Sequence, residues 1–433
     1  MHELIKKIKN RRLKIGVIGL GYVGLPLATN FCSKGFNVIG FDIDKSRVNK
    51  VNKKINYIKN VDLKKYDNKI KATSSFYLIK ECDVIILAVP TPLKKNFDPD
   101  LGFIKRSIKS ILPYLRKHQL ISLESTSYPG TTYDEIVKKI KNMKIGHDIF
   151  ICYSPEREDP GNKYFKTKDI PKVISGYTKN CLKVGKSFYK VFFRSLVPVS
   201  STQTAEFTKL LENIYRSVNI GLVNEMKIIS QRMGINIHEA IKAASTKPFG
   251  YRPFDPGPGM GGHCIPIDPF YMFWKAKKLG YESKFIKEAG EINTMMPKWI
   301  ISKIEKVLKK RDKKIKSNKI LIIGTAYKRN IDDDRESPAY PIMSILKKKG
   351  YKINYYDPYI KEIKKDNPFP NLKNLKSIKF NKQNLKNYDV TLIVTDHNNI
   401  NYSQILKNSK LIFDCRNKLK VNKKKVNAKI IQV

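Results

Sequence analysis

The segment between Gly257 and Pro269 is the most unusual stretch of the chain, because four glycines and three prolines surround a single thiol, Cys264. Such a composition is typical of a shaped loop that brings backbone close to a ligand, and not of a core strand. The residues from Asp268 through Trp274 have apolar spacing that suits a helix. A thiol just before a helix N-terminus is more readily ionised to the thiolate. The pattern therefore favours Cys264 as a nucleophile over the buried, inert thiol that a lone cysteine usually is.

His263, next to Cys264, could act as a base or bind a metal, and its role stays open. No second cysteine or histidine lies nearby in the sequence, which disfavours a metal site. The chain has five other cysteines: Cys32, Cys82, Cys152, Cys181 and Cys415. They form no CxxC pair, so we expect reduced thiols, a cytoplasmic protein and no bound metal.

A second pattern with chemical meaning is Gly19-Leu20-Gly21-Tyr22-Val23-Gly24, which follows an apolar run and opens a helical pattern. Gly19 permits the tight turn, Gly21 lets backbone approach a pyrophosphate, and Gly24 lets helix and strand pack closely. Asp42 ends the next predicted strand, where a carboxylate accepts ribose hydroxyls and repels a 2′-phosphate. The pattern predicts a dinucleotide site that prefers NAD to NADP. The alternative is a glycine-rich turn in an unrelated α/β domain.

Short β-rich runs alternate with helical patterns up to about residue 200. The predicted strands are Lys14–Ile18, Asn37–Phe41, Asp83–Val89, Leu120–Leu123 and Asp148–Cys152. This alternation predicts a parallel sheet with helices on both faces. A second series follows a lysine-rich connector: Lys319–Ile323, Lys352–Tyr356, Asp389–Val394, Lys410–Phe413 and Lys429–Val433.

Between the two series, apolar residues recur mostly three or four positions apart, as in a long helix. They are Phe207, Leu210, Leu211, Ile214, Val218, Leu222 and Met226. We therefore expect an α/β protein with two Rossmann-like parallel-sheet domains joined by a central helical domain. The predicted domain boundaries are 1–201, 202–312 and 313–433.

The chain of 433 residues carries a formal net charge of +47, which raises the question of a nucleic-acid or membrane partner. Its basic runs are short, as in Lys309-Lys310-Arg311, and no basic motif is interleaved with aromatic residues. We favour solvated lysines and expect neither partner, although an anionic substrate would benefit from the field. The basic N-terminus before Ile15–Ala28 imitates a secretion signal, but the glycines of that run indicate a strand and a turn.

Seven motifs in register resemble the UDP-glucose/GDP-mannose dehydrogenase family over nearly the whole chain. They are GLGYVGLPLA from Gly19, VPTPL from Val89, ESTSYPGTT from Glu124, SPERE from Ser154, EFTKLLENIYRSVNI from Glu206, PGPGMGGHCIPIDP from Pro256 and GTAYKRNIDDDRESPA from Gly324. The resemblance implies an NAD-binding Rossmann domain, a helical middle that forms a homodimer and a C-terminal domain that binds UDP. The most similar branch is that of the UDP-N-acetyl-hexosamine 6-dehydrogenases of polysaccharide synthesis.

The resemblance also implies roles for single residues. Those expected to touch NAD, besides the glycine motif and Asp42, are Arg47, Thr91, Thr126 and Arg335. Those expected to touch the sugar nucleotide are Glu156, Arg157, Lys209, Asn213, Gly261, Lys328 and Arg416. The expected catalytic set is Cys264, Lys209, Asn213, Asp268, Glu156 and Thr126.

The expected reaction oxidises a C6 hydroxyl to an aldehyde, which the Cys264 thiolate attacks; a second oxidation gives a thioester that water hydrolyses. Lys209 and Asn213 are four residues apart and share one helix face, where they could stabilise an oxyanion. An ordinary polar helix face is the alternative. Asp268 is the candidate acid or base that assists Lys209 or the water, and Glu156 is the candidate that organises the hydrolytic water.

One residue departs from the UDP-glucose branch, which commonly carries a lysine where this chain has Ile267. UDP-N-acetylglucosamine is therefore the expected substrate and UDP-glucose the alternative. Two other hypotheses compete with this one. A two-electron dehydrogenase would need neither Cys264 nor a second α/β domain, and a basic nucleic-acid-binding protein would not need the glycine-rich Cys264 loop.

Overall fold

The computed structural model describes residues 1–58, 61–94, 96–157, 169–262, 265–311, 319–419 and 428–433. The chain divides into two compact units. The first comprises Met1–Glu212 with Phe270–Tyr281, and the second Asn213–Pro269 with Glu282–Val433. The three domain boundaries drawn from the sequence stay a prediction.

The sheet of the first unit has eight strands among the described residues. They are β1 (Lys14–Ile18), β2 (Asn37–Phe41), β3 (Ile70–Thr73), β4 (Val84–Leu87), β5 (Leu120–Leu123), β6 (Phe150–Tyr153), β7 (Lys172–Gly176) and β8 (Leu196–Pro198). Their spatial order is β3-β2-β1-β4-β5-β6-β7-β8. Strands β4, β5 and β6 are buried at every residue, as expected for a sheet covered on both faces. The order reverses between β1 and β4, which places a crevice at the carboxyl ends of these strands.

Helices cover this sheet. They are α1 (His2–Lys9), α2 (Gly24–Ser33), α3 (Lys45–Asn52), α4 (Gly102–Ile111) and α5 (Lys179–Tyr189), together with the first part of α6 (Thr202–Arg232) and most of α8 (Asp268–Lys278). Leu4 and Ile8 of α1 are buried in one cluster with Phe31 of α2 and Phe188 of α5. Aromatic packing between Phe31 and Phe188, with ring centroids 5.6 Å apart, joins two of these helices in the core.

Strand β7 departs from the predicted parallel sheet. It runs antiparallel to β6, with Cys152 opposite Gly176 and Tyr153 opposite Ser175. The start of β7, at Lys172, therefore lies at the same edge of the sheet as the carboxyl ends of β5 and β6. The sequence did not predict this, because a buried strand has the same apolar pattern in either direction.

The second unit contains a sheet of five parallel strands within the described residues. They are β9 (Lys319–Ile323), β10 (Lys352–Tyr356), β11 (Val390–Ile393), β12 (Leu411–Asp414) and β13 (Lys429–Gln432), in the spatial order β10-β9-β11-β12-β13. The predicted strands of this series agree with these bounds to within one residue at each end. The apolar side chains Ile320, Leu392 and Phe413 are fully buried in its core.

The remaining helices belong to the second unit. They are the later part of α6, α7 (Ile237–Ala244), α9 (Lys284–Arg311), α10 (Ala339–Lys348), α11 (Lys382–Lys386) and α12 (Tyr402–Asn408). The predicted fold class, two parallel-sheet regions with a helical region between them, is confirmed. Within the part of the chain that the structure describes, no helix combines the length and apolar character needed to span a bilayer.

Candidate active site

The turn between β1 and α2 has the geometry of a phosphate cradle. Gly19 has a φ of +93°, and a Cβ there would lie 2.6 Å from the Ala88 carbonyl oxygen. A Cβ on Gly24 would lie 1.8 Å from the Gly19 oxygen, whereas one on Gly21 would meet nothing within 4 Å. The outer glycines are therefore required by packing, and the middle one faces open space. Tyr22 and Val23 complete the turn, which fits the pyrophosphate of a dinucleotide before the N-terminus of α2.

Asp42, directly after β2, lies beside this turn. Its carboxylate accepts hydrogen bonds from the Leu20 N–H at 2.8 Å and from the Asp44 N–H at 2.9 Å. The Arg47 guanidinium, on α3, is 3.5 Å from Asp42 and 3.3 Å from Asp44. Two carboxylates thus surround one guanidinium at the position where a Rossmann domain holds the ribose.

Thr91 and Thr126 follow β4 and β5, the next strands along the sheet from β1. Thr91 is buried and Thr126 is half-buried. The Ser125 hydroxyl donates to the Val89 carbonyl at 2.8 Å and so joins the two loops. The structure therefore brings the three loops that carry Gly19, Thr91 and Thr126 to one edge of the sheet.

Helix α6 is fastened to the segment after Thr126 by the Glu206 carboxylate. This group accepts hydrogen bonds from the Gly130 N–H at 2.6 Å, the Thr132 N–H at 2.8 Å and the Thr132 hydroxyl at 2.7 Å. Burial raises the pKa of Glu206 to about 7, although these hydrogen bonds oppose the shift. Glu206 lies about one helical turn before Lys209, so its hydrogen bonds determine where the Lys209 side chain enters the site.

Lys209, Glu156 and Arg157 lie together in the first unit. The Lys209 ammonium donates to the backbone carbonyl of Glu156 at 2.9 Å. Arg157 pairs with Glu212 of α6, with nitrogen and oxygen 2.6 Å apart, and donates to the Pro171 carbonyl at 2.7 Å. The loop after β6 is thus held against α6 at Glu156 and at Arg157.

The Glu156 side chain contacts residues for which sequence patterns predicted no role. Its carboxylate is 2.6 Å from the Lys172 ammonium, which is also 2.5 Å from the carboxylate of Glu124. Glu124 belongs to a quoted motif, but Lys172 is a single lysine at the start of an apolar strand. No spacing in the sequence distinguishes such a lysine from a solvated one.

In the second unit, Asn213 and Asp268 meet: the Asn213 amide donates to the Asp268 carboxylate at 2.5 Å. Asp268 begins α8, where a carboxylate is stabilised by the helix dipole. Cys264 and His263 lie outside the described residues. In the described part of the chain, no group of three or more histidine, cysteine, aspartate or glutamate side chains could hold a metal ion.

The glycine-rich segment before Cys264 is packed closely within the second unit. A Cβ on Gly257 would lie 2.8 Å from the guanidinium of Arg416, and one on Gly261 would lie 2.7 Å from the Tyr327 side chain. The Gly257 N–H donates at 2.9 Å to the side-chain oxygen of Asn224, a buried amide for which sequence patterns predicted no role. These glycines are required because the loops after β9 and β12 approach their backbone.

Arg416, Lys328 and Arg335 all follow strands β9 or β12 in the second unit. Arg416 donates to the Val394 carbonyl at 2.8 Å, and burial lowers its pKa. Arg335 makes a two-pronged ion pair with Asp333, at 2.6 Å for the closest atoms. Lys328 is half-buried. The contacts predicted between these residues and NAD or the sugar nucleotide stay predictions.

Comparison with known proteins places this site in a family. The profile of the UDP-glucose/GDP-mannose dehydrogenase family matches as its NAD binding domain over residues 13–193, its central domain over 203–295 and its UDP binding domain over 321–421. The first match confirms the predicted NAD-binding domain, and the third identifies a UDP-binding domain.

Individual proteins give the same result. The chain is 37% identical to a UDP-N-acetyl-D-mannosamine dehydrogenase of Methanocaldococcus jannaschii, over 81% of this chain and 80% of that protein. It is 35% identical to a UDP-N-acetyl-D-glucosamine 6-dehydrogenase of Pseudomonas aeruginosa, over 80% and 83% of the two chains. The solved structure of a UDP-D-ManNAc dehydrogenase from Pyrococcus horikoshii superposes with a TM-score of 0.86 at 30% identity, covering 97% and 99% of the chains.

The resemblance inferred from the seven motifs is therefore confirmed. The three family matches cover most of the sequence, and they follow one another in the order of the two sheets and the helices between them. The chain belongs to the UDP-glucose/GDP-mannose dehydrogenase family and is an NAD-dependent nucleotide-sugar dehydrogenase.

Proposed function

We propose that this chain oxidises the C6 hydroxyl of a UDP-N-acetyl-hexosamine to a carboxylate, with Cys264 as the covalent nucleophile. The observation that carries the proposal is the meeting of Lys209 and Glu156, at 2.9 Å, in the unit that holds the dinucleotide cradle. The bond goes to the backbone carbonyl of Glu156, so it brings a cation to the loop that carries the Glu156 carboxylate. Alcohol oxidation uses such a cation, and acyl hydrolysis uses such a carboxylate. The product would serve as a precursor of a polysaccharide or surface glycan.

The choice of Cys264 is supported by the state of the other thiols. All five described cysteines are buried. Burial raises the pKa of Cys32, Cys82 and Cys415 to about 12, and it raises that of Cys152 well above its ordinary value. These four thiols stay protonated at neutral pH and cannot act as nucleophiles, and Cys181 is fully buried in the hydrophobic core of the first unit. The thiol in the glycine-rich loop is therefore the candidate.

In the proposed mechanism, NAD supplies the hydride acceptor for the oxidation of the alcohol and for that of the thiohemiacetal. Lys209 and Asn213 stabilise the negative charge that develops on the C6 oxygen. The Cys264 thiolate attacks the aldehyde, and the resulting covalent intermediate is oxidised to a thioester. Asn213 and Asp268 hold each other in place, which suits Asp268 to an acid or base role near the same oxygen.

Glu156 is proposed to orient the water that hydrolyses the thioester. The water oxygen bonds to the acyl carbon, its proton passes to Glu156, and the carbon–sulfur bond breaks to return the thiolate of Cys264. Arg157, Gly261, Lys328 and Arg416 are proposed to contact the sugar nucleotide, and Thr126 to contact both NAD and the reacting end of the sugar.

The charges around Asp42 favour NAD over NADP. Asp42 and Asp44 together outweigh the single positive charge of Arg47, so a 2′-phosphate would meet net negative charge at the ribose. Asp42 is buried, which strengthens its field relative to that of an exposed carboxylate.

The substrate proposal rests on the loop and on the relatives. Ile267 replaces the lysine that is common in the UDP-glucose branch, and we therefore place UDP-N-acetylglucosamine first. UDP-N-acetyl-D-mannosamine, the C2 epimer of that sugar, is the second candidate, because two relatives are named for it. Both sugars carry an acetamide group at C2, where UDP-glucose has a hydroxyl that cannot make the same hydrogen bonds.

We also propose that the protein is a homodimer. Leu222 and Ile229 are 51% and 43% exposed on α6, and Met233, which directly follows the helix, is 67% exposed. Their spacing of seven and four residues aligns them on one face of the helix. An exposed apolar stripe of this kind marks a protein interface more often than a solvated surface.

The nucleophile can be tested by stoichiometry. Each sugar should yield two NADH in the wild type, and Cys264→Ala should reduce acid formation by a factor on the order of 10³ or more, because residues that act as a unit in catalysis are strongly non-additive. Cys32→Ala, at a buried thiol, is the control and should retain both oxidations. One NADH per sugar with release of the aldehyde in the wild type, or normal acid formation in Cys264→Ala, would contradict the mechanism.

The cofactor preference can be tested by removing one charge. Asp42→Asn should raise the ratio of kcat/KM for NADP to that for NAD by roughly tenfold, about 1.4 kcal/mol, because the amide no longer repels a 2′-phosphate and Arg47 is freed to bind it. Asp44→Asn also removes one negative charge beside Arg47, but at a more exposed position, so it should change the ratio less. An equal change in both variants would show that Asp42 has no special relation to the ribose.

The dimer can be tested by analytical ultracentrifugation. The wild type should sediment as a dimer, and Leu222→Asp/Ile229→Asp should sediment as a monomer, because two buried carboxylates would lack partners in the interface. Ile55→Asp changes an apolar side chain that is 49% exposed in the first unit and should remain dimeric. A monomeric wild type at micromolar concentration would overturn the proposal.

The substrate can be tested by comparing kcat/KM for UDP-N-acetylglucosamine, UDP-N-acetylmannosamine and UDP-glucose in one enzyme preparation. We expect one acetamido sugar to exceed UDP-glucose by roughly a hundredfold or more, because a site built to hydrogen-bond the acetamide leaves its polar groups unpaired when a hydroxyl replaces it. A higher value for UDP-glucose would overturn the substrate assignment and leave the mechanism intact.

A further inference from the structure

A buried cluster of two carboxylates and one ammonium lies at the edge of the first sheet. The Lys172 side chain is 1% exposed, and its nitrogen lies 2.5 Å from Glu124 and 2.6 Å from Glu156. Glu124 follows β5, Glu156 follows β6, and Lys172 begins β7. The antiparallel direction of β7 is what brings the lysine to this edge.

The described residues around the cluster contribute hydrogen bonds and aromatic rings, and among them no second cation contacts Glu124. The Tyr189 hydroxyl, on α5, donates to the other oxygen of Glu124 and is 2.8 Å from the Ser122 hydroxyl. The rings of Tyr189 and Phe193 lie 5.6 Å and 5.2 Å from the Lys172 nitrogen. The cluster therefore has two carboxylates for one ammonium; Glu124 and Lys172 are buried, and Glu156, with 7% of its side chain exposed, is its most accessible member.

The other charged and titratable groups near the cluster do not change this balance. On α6, the Lys209 ammonium bonds to the backbone of Glu156 and not to its carboxylate. Arg157, the neighbour of Glu156, is paired with Glu212. The Cys152 thiol of β6 stays protonated because burial raises its pKa.

We propose that Lys172 is a positioning residue for the reaction, because its ammonium orients the Glu156 carboxylate. Glu124 shares that ammonium and so sets how readily Glu156 accepts a proton. The inference rests on the proposed function, in which Glu156 takes the proton of the attacking water. If Lys172 served Glu156 alone, a full ion pair would stabilise the ionised carboxylate and make it a poor base. A second carboxylate on the same ammonium weakens that stabilisation.

The ionisation of the cluster agrees with this geometry. Burial raises the pKa of Glu124 to about 6, a shift that Lys172 opposes and Glu156 reinforces. Burial alone would lower the pKa of Lys172, but the two carboxylates outweigh burial and raise it above its ordinary value. Lys172 thus keeps its charge, and Glu124 is the carboxylate of the cluster whose protonation burial favours.

The experiment compares pH–rate profiles of acid formation for the wild type, Glu124→Gln and Glu135→Gln. The wild type should lose activity as Glu124 is protonated at about pH 6, because Glu156 is then left with the whole charge of the ammonium. In Glu124→Gln, Glu156 has the ammonium to itself, so the acidic limb should move down by roughly one pH unit. Glu135→Gln removes a buried carboxylate that pairs with Lys105 elsewhere in the same unit and should leave the limb in place.

Variants of the lysine itself separate orientation from folding. Lys172→Met leaves two buried carboxylates without a cation and is expected to fold poorly. Lys172→Arg keeps the charge, so it should fold and keep the acidic limb where it is, with a reduced kcat because the longer side chain displaces Glu156. An unmoved limb in an active Glu124→Gln enzyme, or a wild-type kcat in Lys172→Arg, would overturn the inference.

A measurement without substrate distinguishes failure of this inference from failure of the proposed function. Because the pKa of Glu124 is raised in the folded state, its contribution to the free energy of unfolding is present below pH 4.5 and is lost as the pH rises through about 6. Urea unfolding should show this slope in the wild type and not in Glu124→Gln. The same dependence of unfolding free energy on pH in the wild type and in Glu124→Gln would overturn the inference, even if both proteins were active. A wild type that oxidises no UDP-sugar would refute the proposed function, with or without the slope.

Discussion

The first compact unit depends on one buried cation. Three strands end or begin at the edge of the sheet where Lys172 lies, and the carboxylates that flank it are buried, so solvent screens their charge only weakly. An unpaired buried carboxylate costs several kcal/mol, so the ammonium constrains Glu124 and Glu156 to remain beside it. The loop after β6 is then in place for Lys209 to bond to its backbone. Much of the proposed active-site geometry in this unit follows from a single ion cluster.

The two sheets use the same turn with different outcomes. Gly324 has a φ of +82°, and a Cβ there would lie 2.2 Å from the Thr395 oxygen, so it resembles Gly19 in being required by packing. Asp357 follows β10 as Asp42 follows β2, but its oxygens accept from four backbone N–H groups and the His397 ring. Burial acts to raise the pKa of Asp357, yet these donors hold it at about 2. Asp42, with two backbone donors, keeps lone pairs for a ribose. The same fold therefore supplies a dinucleotide site in one unit and leaves the corresponding carboxylate of the other occupied by its own backbone.

Much of the fold could be predicted because local patterns carry it. The glycine spacing from Gly19 to Gly24, the strand series and the helical period of α6 each reflect contacts between residues close in sequence. The fold class and the family followed from these patterns. The direction of β7 did not, since a buried strand looks the same in either sense. Lys172 was missed for the same reason, because its burial depends on that direction.

The sequence by itself determined the kinds of chemistry available: a dinucleotide cradle, a carboxylate at the ribose position, a lysine and an asparagine one helical turn apart and a thiol in a glycine-rich loop. Such motifs are set by residue type and short-range spacing. Only the tertiary structure decided which charges share a site, because Coulomb interactions between buried groups depend on distances that span many residues. Glu124 and Lys172 are 48 residues apart in the chain and 2.5 Å apart in space. No local pattern encodes that pairing; it results from the order and direction of the strands.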